Sequence, residues 1–259
     1  MHAYDMAVRT DTGRVRSHNE DSSLLLQLEL FSQPKSEPVL LGAVADGMGG
    51  HSNGQLASKM ALRALASGLV QGLNRAPLEG PQSLTQEQAV NLLAEGVQAA
   101  SAQLAEADRH GLIDMGTTLC AALLIGRRAF IANLGDSRAY LHAGELQQIT
   151  EDHSIVAQLV AKGELTPEEA LNHPRRNEIY RMLGFNRSSQ PDLFILDLQP
   201  GDRLLLCSDG LTGHVRDAEL ESLLAAGKPL DETADELVAL ANQRGGEDNI
   251  TALLIQVMP

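Results

Sequence analysis

The chain has 259 residues, of which 43% are hydrophobic and 21% are charged, and its formal net charge at pH 7 is −14. This composition is typical of a globular protein, and the negative charge argues against a nucleic-acid partner because a polyanion would be repelled. No apolar run is long enough to span a bilayer and the N-terminus lacks the pattern of a signal peptide, so we expect a cytoplasmic protein with no membrane partner.

We expect a single domain over residues 1–259, because no linker rich in proline, serine or glycine divides the sequence. The two cysteines, Cys120 and Cys207, both lie within apolar runs. This placement is typical of buried free thiols in a reducing compartment rather than of a disulfide.

The first part of the chain predicts three strands, at residues 3–9, 22–30 and 39–45, with a hairpin connection at residues 31–38. The polar connector between the first two strands contains Arg16 and Asp21. The third strand leads into Asp46 and Gly47, with further glycines at positions 49 and 50. Glycine allows the backbone to approach a ligand closely, although Asp-Gly after a strand is also a common turn.

Apolar residues at spacings of three and four predict a helix over residues 53–73 and a second helix that includes residues 90–104. From residue 117 the period changes to that of strands. Four short runs are interpreted as an antiparallel meander: residues 118–125, 129–134, 137–141 and 145–149. The turn between the second and third runs contains Asp136.

Residues 150–184 have a polar, helical pattern. The motif Thr166-Pro167-Glu168-Glu169 is typical of a helix start, with threonine as the N-cap and the second glutamate closing a capping box. Because this excursion is longer than a meander connection needs, we expect a surface flap at about residues 154–183.

The last part of the chain predicts three more strands and two helices: strands at residues 192–198, 202–207 and 251–257, and helices at 217–226 and 231–243. The second of these strands ends at Asp209-Gly210, which repeats the pattern at Asp46-Gly47. Asp248 stands just before the final strand.

Carboxylates therefore recur at predicted strand ends, at Asp21, Asp46, Asp136, Asp209 and Asp248. Like charges brought together raise one another's pKa, and hard divalent cations relieve the repulsion. Oxygen-only ligands select Mg²⁺ or Mn²⁺ over zinc. Two such ions about 3.5–4 Å apart turn a bridging water into a nucleophile and clamp a phosphoryl group. Arg16 is the candidate to hold that phosphate through parallel hydrogen bonds.

Seven motifs in this order resemble those of the metal-dependent PPM (type 2C) serine/threonine protein phosphatases, in their bacterial form. They are Arg16-Ser17-His18-Asn19-Glu20-Asp21, Asp46-Gly47-Met48-Gly49-Gly50, Met115-Gly116-Thr117-Thr118, Gly135-Asp136-Ser137-Arg138, Asp152-His153-Ser154, Ser208-Asp209-Gly210-Leu211-Thr212 and Glu247-Asp248-Asn249.

The resemblance implies an α+β fold, a four-layer αββα sandwich of two antiparallel sheets with helices on both outer faces. It also implies hydrolysis of phosphoserine and phosphothreonine on proteins by a hydroxide that bridges two Mn²⁺ or Mg²⁺ ions. The implied partners are phosphorylated proteins, including a cognate serine/threonine kinase or its substrates, and we expect a monomer. Two alternatives stay open: a catalytically silent phosphatase-like regulatory or binding module, and a hydrolase of small phosphoesters.

By the same resemblance, Asp46 bridges the two ions, the Gly47 carbonyl binds one of them, and Asp209 and Asp248 bind the other. Asp21 supports the pair directly or through water.

Two further roles are implied at the edge of this pair. Asp136, together with Asp209, holds a weaker third ion, and Arg16 binds the substrate phosphate. The flap is expected to influence the choice of substrate.

The proton donor to the leaving group is not assigned by the motifs. Met48 stands where animal members of the family have a histidine after Asp-Gly. The histidines within the motifs are His18, His51 and His153, and each is also compatible with an ordinary loop position. A metal-bound water is the other candidate.

Overall fold

The structure is a computed structural model that describes residues 3–32, 35–49, 52–75, 84–109, 115–184 and 190–259. Its strands are β1 (Tyr4–Asp11), β2 (Asp21–Ser32), β3 (Lys35–Met48), β4 (Gly116–Thr117), β5 (Leu119–Ile125), β6 (Arg128–Leu134), β7 (Arg138–His142), β8 (Leu146–Gln148), β9 (Leu183–Gly184), β10 (Asp192–Asp197), β11 (Arg203–Cys207) and β12 (Ile250–Val257). Its helices are α1 (Ser52–Arg75), α2 (Gln86–Arg109), α3 (Ile155–Ala161), α4 (Pro167–Leu171), α5 (Asp209–Thr212), α6 (Asp217–Ala225) and α7 (Leu230–Gln243).

The strands form two antiparallel sheets. One has the order β1-β12-β11-β7-β8, and the other has the order β10-β6-β5-β3-β4-β9, with β2 also paired to β3. Three apolar clusters separate four layers. One cluster lies between the two sheets, one lies between the larger sheet and helices α1 and α2, and one lies between the smaller sheet and helices α5 to α7. The αββα sandwich is thereby confirmed.

Burial on both faces explains why the central strands are continuously apolar. Strand β5 is buried at all seven positions. Alternate side chains of a strand point to opposite faces, so Cys120 contributes to the cluster between the sheets while Leu123 contributes to the cluster under α1 and α2. Both cysteines are buried free thiols, as expected.

The predicted meander over residues 118–149 is wrong. Strands β5 and β6 pair within the larger sheet, whereas β7 and β8 pair within the smaller one. The chain crosses between the sheets at the turn that begins with Gly135, whose φ of 108° favours glycine. Two hairpins joined by such a crossing have the same apolar pattern as a four-stranded meander, so periodicity does not separate them.

Strand β3 is longer than the sequence indicated. It begins at Lys35 and continues through Asp46 to Met48, and it pairs with β2 from Asp21↔Asp46 to Ser32↔Lys35. The predicted hairpin connection at residues 31–38 is therefore mostly strand, and residues 33 and 34 lie outside the described residues. This long hairpin fixes Asp21 directly opposite Asp46.

The segment predicted as a flap, residues 154–183, contains the two short helices α3 and α4, neither of which buries a residue. The capping box predicted at the start of α4 is confirmed: Thr166 Oγ1 accepts a hydrogen bond from Glu169 N, and Glu169 Oε2 accepts one from Thr166 N. A β-bridge between Ser154 and Ile179 closes the segment at its base. Among the helices that the structure describes, none has the length and apolar character of a membrane span.

The sheet face under α1 and α2 allows a matched test of stability. Leu123 is fully buried there, whereas Leu193, on edge strand β10 and the same sheet face, is 41% exposed. Leu123→Ala should lower the free energy of unfolding by about 2–5 kcal/mol, because it leaves a cavity. Leu193→Ala should lower it by less than about 1 kcal/mol. Urea denaturation measures both, and equal losses would contradict this description of the core.

Candidate active site

Five aspartates meet at one end of the sandwich. Asp21 begins β2, Asp46 lies near the end of β3, Asp136 occupies the turn between β6 and β7, Asp209 begins α5 directly after β11, and Asp248 precedes β12. The charges of the other four all act to raise the pKa of Asp46. The structure therefore brings together the acidic residues that the sequence placed at separate strand ends.

Burial and mutual repulsion disfavour ionisation in this cluster. Burial is the largest cause of each upward shift, and the neighbouring carboxylates add to it. The pKa of Asp21 rises to about 7, those of Asp46 and Asp136 rise well above the usual range, and that of Asp209 is also raised. A side-chain hydrogen bond between Asp46 and Asp209 acts in the opposite direction on Asp209.

The cluster fits a hard divalent cation. Oδ1 of Asp21 and Oδ1 of Asp209 are buried and have no hydrogen-bond partner in the protein. Leaving buried acceptors unsatisfied is costly, and a cation would satisfy both oxygens while offsetting the repulsion. Within the described part of the chain, no group of three or more histidine, cysteine, aspartate or glutamate side chains is placed so that it could hold a metal ion. The fit of the cluster to a cation therefore rests on the two unsatisfied oxygens and on the raised pKa values of the carboxyl groups.

Hydroxyl groups hold Asp21 in place. Ser208 Oγ and Thr251 Oγ1 each donate a hydrogen bond of 2.7 Å to Asp21 Oδ2. Thr251 Oγ1 is in turn 2.9 Å from Thr10 Oγ1. These contacts use Oδ2 and leave Oδ1 as the unsatisfied oxygen. Ser208 lies within one of the motifs, but the sequence indicated no role for it. The roles of Thr10 and Thr251 were not predicted.

The backbone of Asp46 is fixed by two threonines. Thr117 Oγ1 and Thr118 N both donate to the Asp46 carbonyl at 2.9 Å, and Asp46 N donates to Thr118 Oγ1 at 2.9 Å. Next to it, a Cβ atom on Gly47 would lie 2.0 Å from the carbonyl oxygen of Gly54. Glycine is required here because α1 approaches the end of β3 so closely. Gly54, which makes the reciprocal approach, was not identified from the sequence.

Asn249 ties the N-terminal connector to the last strand. Its Nδ2 donates to the carbonyls of Thr12 and His18, each at 2.9 Å, and its Oδ1 accepts from Glu20 N at 2.7 Å. This side chain therefore sets the path of the loop that contains Arg16. The asparagine lies in a quoted motif, and only the folded structure reveals its partners.

Arg16 lies at the rim of the acidic cluster. Its Nη2 is 2.7 Å from Asp248 Oδ2, and half of its side chain is exposed. The hydrogen bond to Asp248 is the main cause that raises the arginine's pKa. This contact uses one of five guanidinium donors, so the group can also bind an anion that enters the site.

Arg138 supplies positive charge close to Asp136 and Asp209. It forms a bidentate pair with Asp152, with Nη2 at 2.8 Å from Oδ2, and its Nη1 donates to Tyr140 Oη at 2.9 Å. Its charge lowers the pKa of Asp136 and Asp209 and so opposes part of the repulsion.

The three motif histidines occupy different surroundings. His153 is buried, and both of its ring nitrogens contact protein groups, which is the pattern of a structural histidine. His18 is exposed, with Nδ1 2.8 Å from Ser17 Oγ. His51 lies outside the described residues.

Comparisons with known proteins agree with this geometry. The family model described as protein phosphatase 2C matches residues 14–254. The chain belongs to the protein phosphatase 2C family. This 2C-type chain is 42% identical over 254 residues to serine/threonine phosphatase stp of Listeria innocua serovar 6a, with 96% of this chain and 94% of the relative covered.

Solved structures of the 2C type have the same fold. The serine/threonine phosphatase PstP/Ppp of Mycobacterium tuberculosis matches with a TM-score of 0.81 and 37% identity over 99% of each chain. A structure of the PstP catalytic domain in complex with two manganese ions matches with a TM-score of 0.79 and 36% identity, again over 99% of each chain. The expected fold and membership of a bacterial PPM-type family are thereby confirmed.

The raised pKa of Asp21 predicts how pH affects the stability of this 2C-type chain without metal. Between the ordinary pKa of 3.8 and the folded value of about 7, the folded state binds more protons than the unfolded state. The free energy of unfolding should therefore fall as pH rises through this range, by on the order of a few kcal/mol from this group.

Asp21→Asn should remove that contribution. Urea denaturation in chelator, compared at about pH 4 and about pH 7, measures the change for both proteins. The wild-type protein should lose more stability than the variant over this interval. An equal loss in the two proteins would show that Asp21 ionises normally in the folded state.

Proposed function

We propose that this chain is a metal-dependent protein phosphatase that hydrolyses phosphoserine and phosphothreonine on proteins. The observation that carries the proposal is the pair of buried, unsatisfied carboxylate oxygens on Asp21 and Asp209, within an acidic cluster that has Arg16 at its rim. Membership of a family whose relatives are serine/threonine phosphatases supports the choice of substrate.

In this proposal, Asp46 is shared by two Mn²⁺ or Mg²⁺ ions. The Gly47 carbonyl serves one ion, Asp209 and Asp248 serve the other, and Asp21 supports the pair. The two manganese ions in the related PstP structure support this stoichiometry. When bound, such ions supply Lewis-acid chemistry, which acidifies an attacking water and neutralises charge on the phosphoryl group.

A weaker third ion is proposed beside the pair, at Asp136 together with Asp209. Asp209 is among the neighbours whose charge raises the pKa of Asp136, so these two carboxylates act on the same region of the site. The positive charge of Arg138 partly compensates them when no ion is bound.

The chain's own residues bind and orient the substrate around this chemistry. Arg16 holds the phosphate with charge-assisted hydrogen bonds, and its half-exposed side chain is accessible from solvent. Ser208 and Thr251 keep the Asp21 carboxylate fixed as its protonation changes. Because the raised pKa values favour protonated carboxyls in the empty cluster, binding of cations should release protons.

The phosphoproteins acted on are proposed to be products of a bacterial serine/threonine kinase, and the substrates include the kinase itself where it is phosphorylated. The bacterial origin of the relatives supports this assignment. Parallel assays on phosphothreonine peptides and on small phosphate esters separate a protein phosphatase from a small-phosphoester hydrolase. Greater kcat/KM on the small esters would favour the latter.

The central test is metal-dependent release of phosphate from a phosphothreonine peptide. The purified chain should be active with Mn²⁺, inactive with chelator, and inactive as Asp209→Asn, which should also lose Mn²⁺ binding by electron paramagnetic resonance. Asp197→Asn, at the exposed end of β10 beside Arg128, is the matched control and should change neither property. Retained activity in Asp209→Asn would overturn the assignment of the site.

The role of Arg16 is tested by steady-state kinetics on the same peptide. Arg16→Ala should lower kcat/KM by about 10- to 100-fold, since charge-assisted hydrogen bonds contribute about 1.5–3 kcal/mol. The kcat/KM of Arg16→Lys should lie between those of the wild-type protein and Arg16→Ala, because lysine keeps the charge but not the paired donors. Arg14→Ala removes an exposed charge from the same loop and should have little effect. An equal loss in both alanine variants would indicate general attraction instead of phosphate binding.

A further inference from the structure

His153 binds both backbone groups of Gly135, the residue that precedes Asp136. Its ring Nδ1 accepts a hydrogen bond of 3.0 Å from Gly135 N, and its backbone N donates one of 2.9 Å to Gly135 O. The side chain is only 2% exposed. A single buried residue therefore satisfies both backbone groups of Gly135, which itself has a left-handed φ of 108°.

The other ring nitrogen connects this contact to the base of the flap. His153 Nε2 lies 3.0 Å from Asp192 Oδ2, and Asp192 Oδ1 lies 2.5 Å from Arg181 Nη1. The carbonyl of His153 accepts from Tyr180 N at 2.9 Å. The residue thus joins three segments: the turn between β6 and β7, the end of the flap, and the start of β10.

The hydrogen bonds assign the tautomer of the ring. Gly135 N–H can only donate, so Nδ1 must present a lone pair, and a neutral imidazole then has its proton on Nε2. The carboxylate of Asp192 accepts that proton's hydrogen bond at 3.0 Å. Arg181 Nη1 also lies 3.1 Å from Nε2, but a guanidinium nitrogen can only donate and so is not a partner for a protonated Nε2. Asp192 therefore keeps the ring in the one tautomer that accepts from Gly135, as carboxylates do for histidines that support metal sites.

We propose that His153, held by Asp192, is a positioning residue that fixes the place of Asp136 relative to Asp209 and so sets the affinity of the metal site those two carboxylates form. The proposal rests on the proposed function, because it takes Asp136 as a metal ligand. It also gives His153 a role other than proton donation: both nitrogens are engaged by protein groups, and the ring is buried.

A second contact joins the same two segments but acts differently. Arg138 and Asp152 form their bidentate pair across the same junction, two residues after Asp136 and one before His153. That pair acts between side chains, whereas the His153 ring accepts from the backbone N of Gly135, one residue before Asp136. The affinity of the site should therefore respond to the identity of the group that replaces Nδ1.

Two substitutions separate the two ring nitrogens. In His153→Asn the amide oxygen takes the approximate place of Nδ1 and keeps an acceptor for Gly135 N–H. In His153→Gln the amide nitrogen takes the approximate place of Nε2 and keeps the contact with Asp192 but loses that acceptor. Binding of Mn²⁺ to the full chain, measured by electron paramagnetic resonance of the free ion, gives the affinity of each class of site. Asp136→Asn identifies the weakest class.

His153→Gln should weaken only the weakest class, by about 10-fold or more, while His153→Asn stays within about 2-fold of the wild-type protein. Equal affinities in the two variants, or a uniform loss over all classes, would overturn the proposal. If His153→Gln does not fold, Asp192→Ala replaces it, because that side chain is 40% exposed. It should weaken the same class, and an unchanged affinity would overturn the proposal.

The same titration separates this inference from the proposed function. A wild-type chain that binds no Mn²⁺ and releases no phosphate from the peptide contradicts the proposed function. If the wild-type chain binds Mn²⁺ and is active, but His153→Asn and His153→Gln have equal affinities at the weakest class of site, only the role of His153 is contradicted.

Discussion

Repulsion among carboxylates that have been removed from water is the constraint on which the rest of this structure depends. Two antiparallel sheets bring five acidic side chains to one end of the sandwich, where burial and mutual repulsion raise the pKa of Asp21, Asp46, Asp136 and Asp209. The surroundings of each acid act against that repulsion in a different way. Hydroxyl groups bind Asp21, and threonines fix the backbone of Asp46. Arg16 pairs with Asp248, and the charge of Arg138 lowers the pKa of Asp136 and Asp209. The folded protein thus holds carboxylates whose mutual repulsion is unfavourable, and a divalent cation would relieve that repulsion.

Much of this arrangement could be predicted from sequence because both the strands and the acids have local signals. An apolar run that ends in Asp-Gly marks Asp46 and Asp209 without any knowledge of the fold. The order of the motifs predicted the fold through the resemblance to a known family. The membership of strands in sheets could not be predicted in the same way. The crossing at Gly135 depends on which sheet can bury each apolar face, and that is decided by the pairing of β7 with β11, which itself pairs with β12 far along the chain.

The roles of the supporting residues could not be predicted for a related reason. Gly54 has no distinctive local pattern, and Thr118 and Asn249, although they lie within the motifs, have roles that come from contacts with residues distant in sequence. Asn249, for example, bonds to three backbone groups more than 200 positions away. A glycine in a helix or an asparagine before a strand is an ordinary observation until the opposing backbone is known. Residue type predicts the chemistry of a site, whereas the precision of its placement is a property of the whole chain.

The pairing of β1 with β12 has a consequence for folding during translation. Asp248, Asn249 and Thr251 all lie on or beside β12, which is far from β1 and β2 along the chain and sits between β1 and β11 in its sheet. Until that strand leaves the ribosome, Asp21 lacks one of its two hydroxyl donors and the Arg16 loop lacks the amide that holds it. A nascent chain therefore cannot complete the acidic cluster before residues 248–251 have been synthesised, because these residues supply contacts to both Asp21 and the Arg16 loop.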